Sequence, residues 1–437
     1  MHATTNVTES APANGAASPT PTADHLAVPG EEAPAARPLT AATVTALHLT
    51  AFRALRDRTV PLTPVTLLSG PSGSGKSAVL EAYEALARLG GGEVLGEVFG
   101  RAYGGPGAYV PRRSRPDGEG RRGFRIGCTV DGPAGPLRFD LAVQAEPELR
   151  IAGERLSVPG GRTLLSTALR DPSRRTVEAE WHSGAGRVTR ARLPDDRLAT
   201  ALLPLRVGGG TEEEHRVLAA AEQAVVALRS VFACDPRPET MREPVSAADT
   251  LLRGGCDNLA AVLRRTRTEC AVRHGHLVGA VRAGFAGPVA DLVAEVLPEG
   301  AGRGRVRAVV DRGCGPVPPG HAAADRTPLE WLGDGELRYA ALALVLLTGP
   351  GVLSMDPVQE VLPARQAMTV LADGLDRGLD GRQTAELTAL AERMGERGHV
   401  RLLASVSEAG ADAALSAAGS PGEARQPGVS LVDLGRE

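Results

Sequence analysis

Eight residues, Gly70-Pro71-Ser72-Gly73-Ser74-Gly75-Lys76-Ser77, constrain this 437-residue chain more than any other feature. They match G-x-x-x-x-G-K-[ST], follow the apolar run Pro64-Val-Thr-Leu-Leu-Ser69, and precede Val79, Leu80, Tyr83 and Leu86 at helical spacing. Strand, glycine loop and helix are the context in which this pattern wraps a phosphate chain with backbone N–H groups at a helix N-terminus. Residues Gly70 to Gly75 would form the cradle, Lys76 would reach the terminal phosphates, and the Ser77 hydroxyl would ligate Mg²⁺. Of the 49 basic residues, Lys76 is the one lysine and the other 48 are arginine. A planar guanidinium cannot replace a compact ammonium in a tight cradle. A flexible Gly/Ser turn would explain the glycines but not that lysine.

Composition excludes several classes. Hydrophobic residues at 42% and charged residues at 23% are ordinary globular usage, and 3% aromatics gives little for base stacking. The apolar run Tyr339 to Leu347 is far too short to cross a bilayer. No basic and then apolar leader opens the chain, and the five cysteines form no C-x-x-C pair. The expectation is a cytoplasmic chain with reduced thiols, off the membrane. Residues 1–40 carry a charge of −3 from Glu9, Asp24, Glu31 and Glu32 against Arg37, so the remainder is formally neutral and makes no global case for nucleic acid. The arginines between Arg112 and Arg125, and between Arg264 and Arg273, read as solvated faces. His274 and His276 read as surface histidines, because two residues apart they do not share a helical face.

The organisation expected is a disordered, Ala/Pro/Thr-rich tail at 1–40, a nucleotide-binding lobe from 41–90 and 325–437, a β-rich insertion at 91–210, and a helical insert lobe at 211–324. Val44 to Phe52 alternates like a strand, residues 212–297 look helical with Asp257 and Asn258 placed to cap Leu259–Arg265, and Arg305 to Asp311 alternates again. The last hundred residues alternate helix and strand, which favours a parallel sheet. No long heptad run appears.

A phosphate loop needs a carboxylate on a neighbouring strand to hold the magnesium shell. Met368-Thr-Val-Leu-Ala372 ends in Asp373, which fits; Val352 to Asp356 is a shorter rival. Leu332-Gly333-Asp334-Gly335-Glu336-Leu-Arg338 is a glycine-rich loop opening an apolar helix. This segment resembles the signature loop of ABC-type P-loop ATPases of the SMC/RecF/OLD-like group, where L-S-D-G-x-x-R precedes an apolar helix. Thr50-Ala-Phe-Arg53 is similar to that group's N-F-R strand, Gly255 to Leu263 to its D-G-x-N-L-A-x-x-L segment, and Asp373 to Gln383 to its D-E-P-E-x-G-L-H-P-x-Q run.

The resemblance implies an α/β P-loop fold, an ABC-ATPase-like head with a β-rich and helical insertion, using ATP and Mg²⁺. It implies a homodimer in the ATP-bound state, with Gly333 to Glu336 of one subunit closing on the nucleotide of the other, and a setting in DNA repair or defence with DNA or an effector protein as partner. Lys76, Asp373 and Asp376 are the catalytic residues implied. The chain departs from the pattern at Gly374, where the family has its water-polarising glutamate, at Gly333, where it has serine, and at Val406 and Ser407, where a histidine usually follows the last core strand. Hydrolysis is therefore expected to be slow, and Gly374→Glu to accelerate it. A nucleotide-gated regulatory module with negligible hydrolysis is the alternative; a small-molecule kinase fits worse, given the signature loop. The roughly 30 residues after Ser407 are expected to be too few for the nuclease domain of OLD-type proteins.

Overall fold

The computed structural model describes residues 41–100, 102–184, 186–298, 304–313, 326–355, 367–417 and 428–435. The tail at 1–40, Cys314 and Asp356 lie outside the described residues. In chain order come β1 (Thr43–Phe52), β2 (Leu55–Pro61), β3 (Val65–Ser69), α1 (Lys76–Gly90) and the short α2 (Leu95–Phe99). Six strands follow: β4 (Arg122–Asp131), β5 (Leu137–Glu146), β6 (Arg150–Ser157), β7 (Thr163–Ala168), β8 (Thr176–Gly184) and β9 (Arg187–Pro194). Then come α3 (Ala199–Leu202), α4 (Glu212–Arg229), β10 (Val231–Ala233), α5 (Pro238–Met241), β11 (Val245–Ser246), α6 (Leu259–Glu269), α7 (Ala271–Gly284), β12 (Asp291–Val296), β13 (Arg305–Asp311) and β14 (Arg326–Pro328). The last third holds α8 (Asp334–Leu347), β15 (Met368–Ala372), α9 (Gly381–Glu396), β16 (Val400–Ser405), α10 (Glu408–Ala417) and β17 (Val429–Asp433).

Burial patterns explain which strands sit where. In β8, Thr176 to Gly184, buried and half-exposed residues alternate along the whole strand. Such a strand suits an antiparallel sheet with one wet face. It belongs to an eight-stranded sheet of order β2-β1-β4-β5-β6-β7-β8-β9, antiparallel throughout. By contrast, all five residues of β3 and all five of β15 are buried. Continuous burial marks strands covered on both faces, and these two lie in a five-stranded parallel sheet of order β10-β15-β16-β3-β17. Leu68, Leu371 and Leu403 point from this sheet into one core with Tyr83 and Leu86 of α1 and Leu47 and Phe139 of the antiparallel sheet. Leu67, Val370 and Leu402 point into a second core with Leu337, Leu342 and Leu344 of α8 and Leu387 of α9. The parallel sheet is thus sandwiched between α1 and the pair α8 and α9. Helix α8 is buried nearly all round from Leu337 to Leu346, which fits the apolar run from Tyr339 to Leu347.

Three local expectations differ from what is observed. Residues 291–296 form strand β12, not helix, because Asp291 to Val296 pairs in register with Asp311 to Val306 of β13. Asn258 occupies the N-cap position of α6, but its side chain makes no cap bond. Its amide instead donates to the carbonyls of Asp249 and Leu251 and accepts from Arg253 N, closing the preceding loop. His274 is buried, with Nε2 2.6 Å from Asp291 Oδ1, whereas His276 is exposed. Among the clustered arginines, Arg121 pairs with Asp117 and Glu119, Arg122 with Glu146, and Arg265 with Glu269. No helix among the described residues is long and apolar enough to cross a membrane.

Candidate functional site

The phosphate-loop residues leave β3 at its C-terminal edge and enter α1, whose N-cap is Gly75 with φ of 105°. Only glycine adopts that left-handed backbone without strain. A Cβ there would also lie 2.6 Å from Leu55 Cδ2, so β2 packs directly under the loop. Next to Gly73 there is open space. Lys76 Nζ folds back, donating to the carbonyls of Gly70 at 2.6 Å and Pro71 at 3.1 Å. Ser74 Oγ is buried with no partner. An open glycine cradle, an orphaned hydroxyl, an ammonium bonded only to loop carbonyls and the free N–H groups of a helix's first turn together fit a phosphate chain.

Asp373 follows β15, and β16 lies between β15 and the phosphate-loop strand β3. Because all three strands are parallel, their C-terminal ends emerge on one edge, where ligands of open α/β sheets bind. Ser405, the last residue of β16, donates from Oγ to Asp373 Oδ1 at 2.5 Å and accepts from Gly374 N at 2.7 Å. Sequence reasoning missed this residue; its only signal was a serine closing the strand between the two motif strands. Ser77 and Asp373 are the groups that would hold magnesium beside the phosphates, and no cluster of three or more His, Cys, Asp or Glu suited to a metal occurs among the described residues. Glu81, one turn beyond Ser77 on α1, sits 2.7 Å from Arg53. Burial pushes its carboxyl up, Arg53 opposes the rise, and the charge of Asp373 adds to it. Arg53 in turn lies over the Tyr109 ring at 4.9 Å.

Gly374 has φ of 70°, and a Cβ there would lie 3.1 Å from Arg377 Nε and Nη2. The turn after Asp373 therefore calls for glycine. This changes the expectation for Gly374→Glu, since a glutamate would be strained and directed at a guanidinium. Asp376 accepts from the backbone N–H of Ser407 at 3.0 Å and from Ser407 Oγ, just ahead of α10. Ser407 Oγ in turn accepts from Gly410 N at 3.0 Å, so Ser407 caps α10 and Asp376 holds that serine in place.

The loop Gly333 to Glu336 opens α8, with Glu336 bonded back to Gly333 N and Asp334 paired with Arg242 at 2.7 Å. A Cβ on Gly335 would lie 2.2 Å from the Gly378 carbonyl, so this loop packs against the turn that follows Asp373. Gly333 has nothing within 4 Å of such an atom. Trp331, two residues before Gly333, is 75% exposed.

No protein-family model and no curated protein matches the chain. Among solved structures it is similar to the SmcHead bound to the C-winged helix domain of ScpA, at 12% identity over 86% of this chain and 92% of that one, with a TM-score of 0.42. The SMC head domain from Thermotoga maritima aligns over the same shares at 12% identity and a TM-score of 0.38. The Smc head domain with an extended coiled coil bound to the C-terminal domain of ScpA, derived from Pyrococcus furiosus, does so at 13% and 0.41. Likenesses this distant carry no residue role to this chain, whose own geometry supplies the functional reading.

Proposed function

We propose that the chain binds Mg-ATP in the Gly70 to Ser77 loop and uses it to bring two heads together, hydrolysing it slowly. The observation that supports this most is the convergence of Lys76, Ser77, Asp373 and Ser405 at one edge of the parallel sheet. Bound ATP would supply the phosphate charge that Lys76 and the loop amides neutralise, with Mg²⁺ held by Ser77 and by Asp373. The loop Gly333 to Glu336 would close on the partner's nucleotide, and such an ATP-gated pair is a device for closing on DNA or an effector protein, as a repair or defence role would require. Slow turnover is supported by the side chain missing at Gly374 and by Asp376 being committed to Ser407. These two features equally support a gated module that scarcely turns over.

Light scattering with Mg-ATP against Mg-ADP tests the clamp. ATP should yield the dimer and ADP the monomer, and a monomer at saturating ATP would refute association. Gly333→Trp is the clean blocking variant, because Gly335 already touches Gly378 within the subunit. Trp331 offers a second readout, since the other tryptophan, Trp181, is buried. Its emission should shift to the blue with ATP and lose that shift in Trp331→Phe.

A further inference from the structure

Arg338 lies one turn into α8 and is only 5% exposed. Its Nη1 donates to the Pro236 carbonyl at 2.6 Å and to Asp235 Oδ1 at 3.2 Å, while Nη2 donates to the Gly374 carbonyl at 3.1 Å. The same Asp235 oxygen faces Arg377 Nη1 at 3.4 Å, and Arg377 Nη2 donates to the Asp373 carbonyl at 3.2 Å. Two guanidiniums joined through one carboxylate therefore hold both carbonyls of the Asp373-Gly374 turn. On its other side, Gly374 N donates to Ser405 Oγ, whose hydroxyl donates to the Asp373 carboxylate.

We propose that Arg338 is a positioning residue that couples the loop Gly333 to Glu336 to the magnesium carboxylate Asp373 through Gly374 and Ser405. A buried guanidinium is costly to desolvate, and a well-packed apolar side chain would hold α8 to the sheet at lower cost. A planar fork meets three acceptors in fixed directions, which an ammonium on a flexible stem does not. Displacement of the first turn of α8, as when a second subunit docks there, moves Arg338 and with it the turn that aims Asp373. Metal occupancy in turn biases that loop, because coupling between two sites is reciprocal. This inference rests on the proposed Mg-ATP site.

The test separates the two. Binding of a fluorescent ATP analogue is measured first in EDTA and then during a Mg²⁺ titration, for wild type, Arg338→Lys and Arg338→Met, with melting curves as the check on folding. Affinity in EDTA should stay within about twofold, while the Mg²⁺ midpoint rises about tenfold in Arg338→Met and less in Arg338→Lys, as expected for losing a charge-assisted bond. An unchanged Mg²⁺ midpoint in folded variants would overturn the coupling. A wild type that binds no analogue would instead overturn the site itself. Should Arg338→Met not fold, Asp235→Asn releases the same fork from a partly exposed position; its midpoint must rise too, and a constant one refutes the proposal.

Discussion

Replacing Gly374 by glutamate restores the residue that the sequence resemblance asks for, yet the backbone argues against a gain. The residue sits at φ of 70°, a left-handed conformation that costs an L-residue about 1–2 kcal/mol. Its Cβ would meet Arg377 Nε and Nη2 at 3.1 Å, so the guanidinium must shift and let go of the Asp373 carbonyl. The new carboxylate would then face Arg377, an exposed pairing worth little. At roughly 2–4 °C per kcal/mol for a large domain, melting should fall by about 2–8 °C. Steady-state ATP hydrolysis, measured by phosphate release, should not rise, and Mg²⁺ dependence should weaken as the turn loosens. Gly374→Ala separates backbone strain from charge and should lose about the same melting temperature. A tenfold faster Gly374→Glu, equivalent to about 1.4 kcal/mol off the barrier, with an unchanged melting temperature would refute the reasoning.

Ser405→Ala removes the donor to Asp373 and the acceptor of Gly374 N, and should weaken Mg²⁺-dependent nucleotide binding by roughly tenfold or more, since hydrogen bonds to charged groups contribute about 1.5–3 kcal/mol; an unshifted Mg²⁺ titration would contradict this. Glu154 is fully buried, accepts from the backbone N–H groups of Ala199 and Thr200 and from Thr200 Oγ, and its carboxyl is pushed up by burial. With the folded value above the unfolded one, the stability it contributes is present below the ordinary carboxyl value of 4.5 and is lost as pH rises through the folded value. Glu154→Gln cannot ionise, so urea midpoints should move in the variant's favour as pH rises from 4 to 8; parallel profiles would count against a raised carboxyl.

Much of the candidate site was legible because the residues proposed for it form local patterns in the sequence. The phosphate loop needs its glycines and lysine consecutive in sequence, and Asp373 announces itself by closing an apolar strand. The parallel sheet followed from alternating helix and strand in the last hundred residues. What stayed hidden depends on contacts between distant segments. Nothing adjacent to Ser405 says that β16 inserts between β3 and β15, and Arg338 finds Asp235 and Gly374 across 103 and 36 residues. Gly374 looked like a position where glutamate could simply be restored because a motif records side chains, whereas its φ is a property of the folded turn. Asn258 was misread for a related reason: a good capping residue had a better partner in the loop behind it.

The central claim, that this chain is built around a magnesium-nucleotide site at Lys76, is tested most directly by titration calorimetry of wild type and Lys76→Ala with Mg-ATP. Wild type should bind one ATP per chain, and Lys76→Ala, with the melting curve of wild type, should show no measurable heat of binding. Equal affinity in the two proteins, or no binding by wild type, would contradict the account.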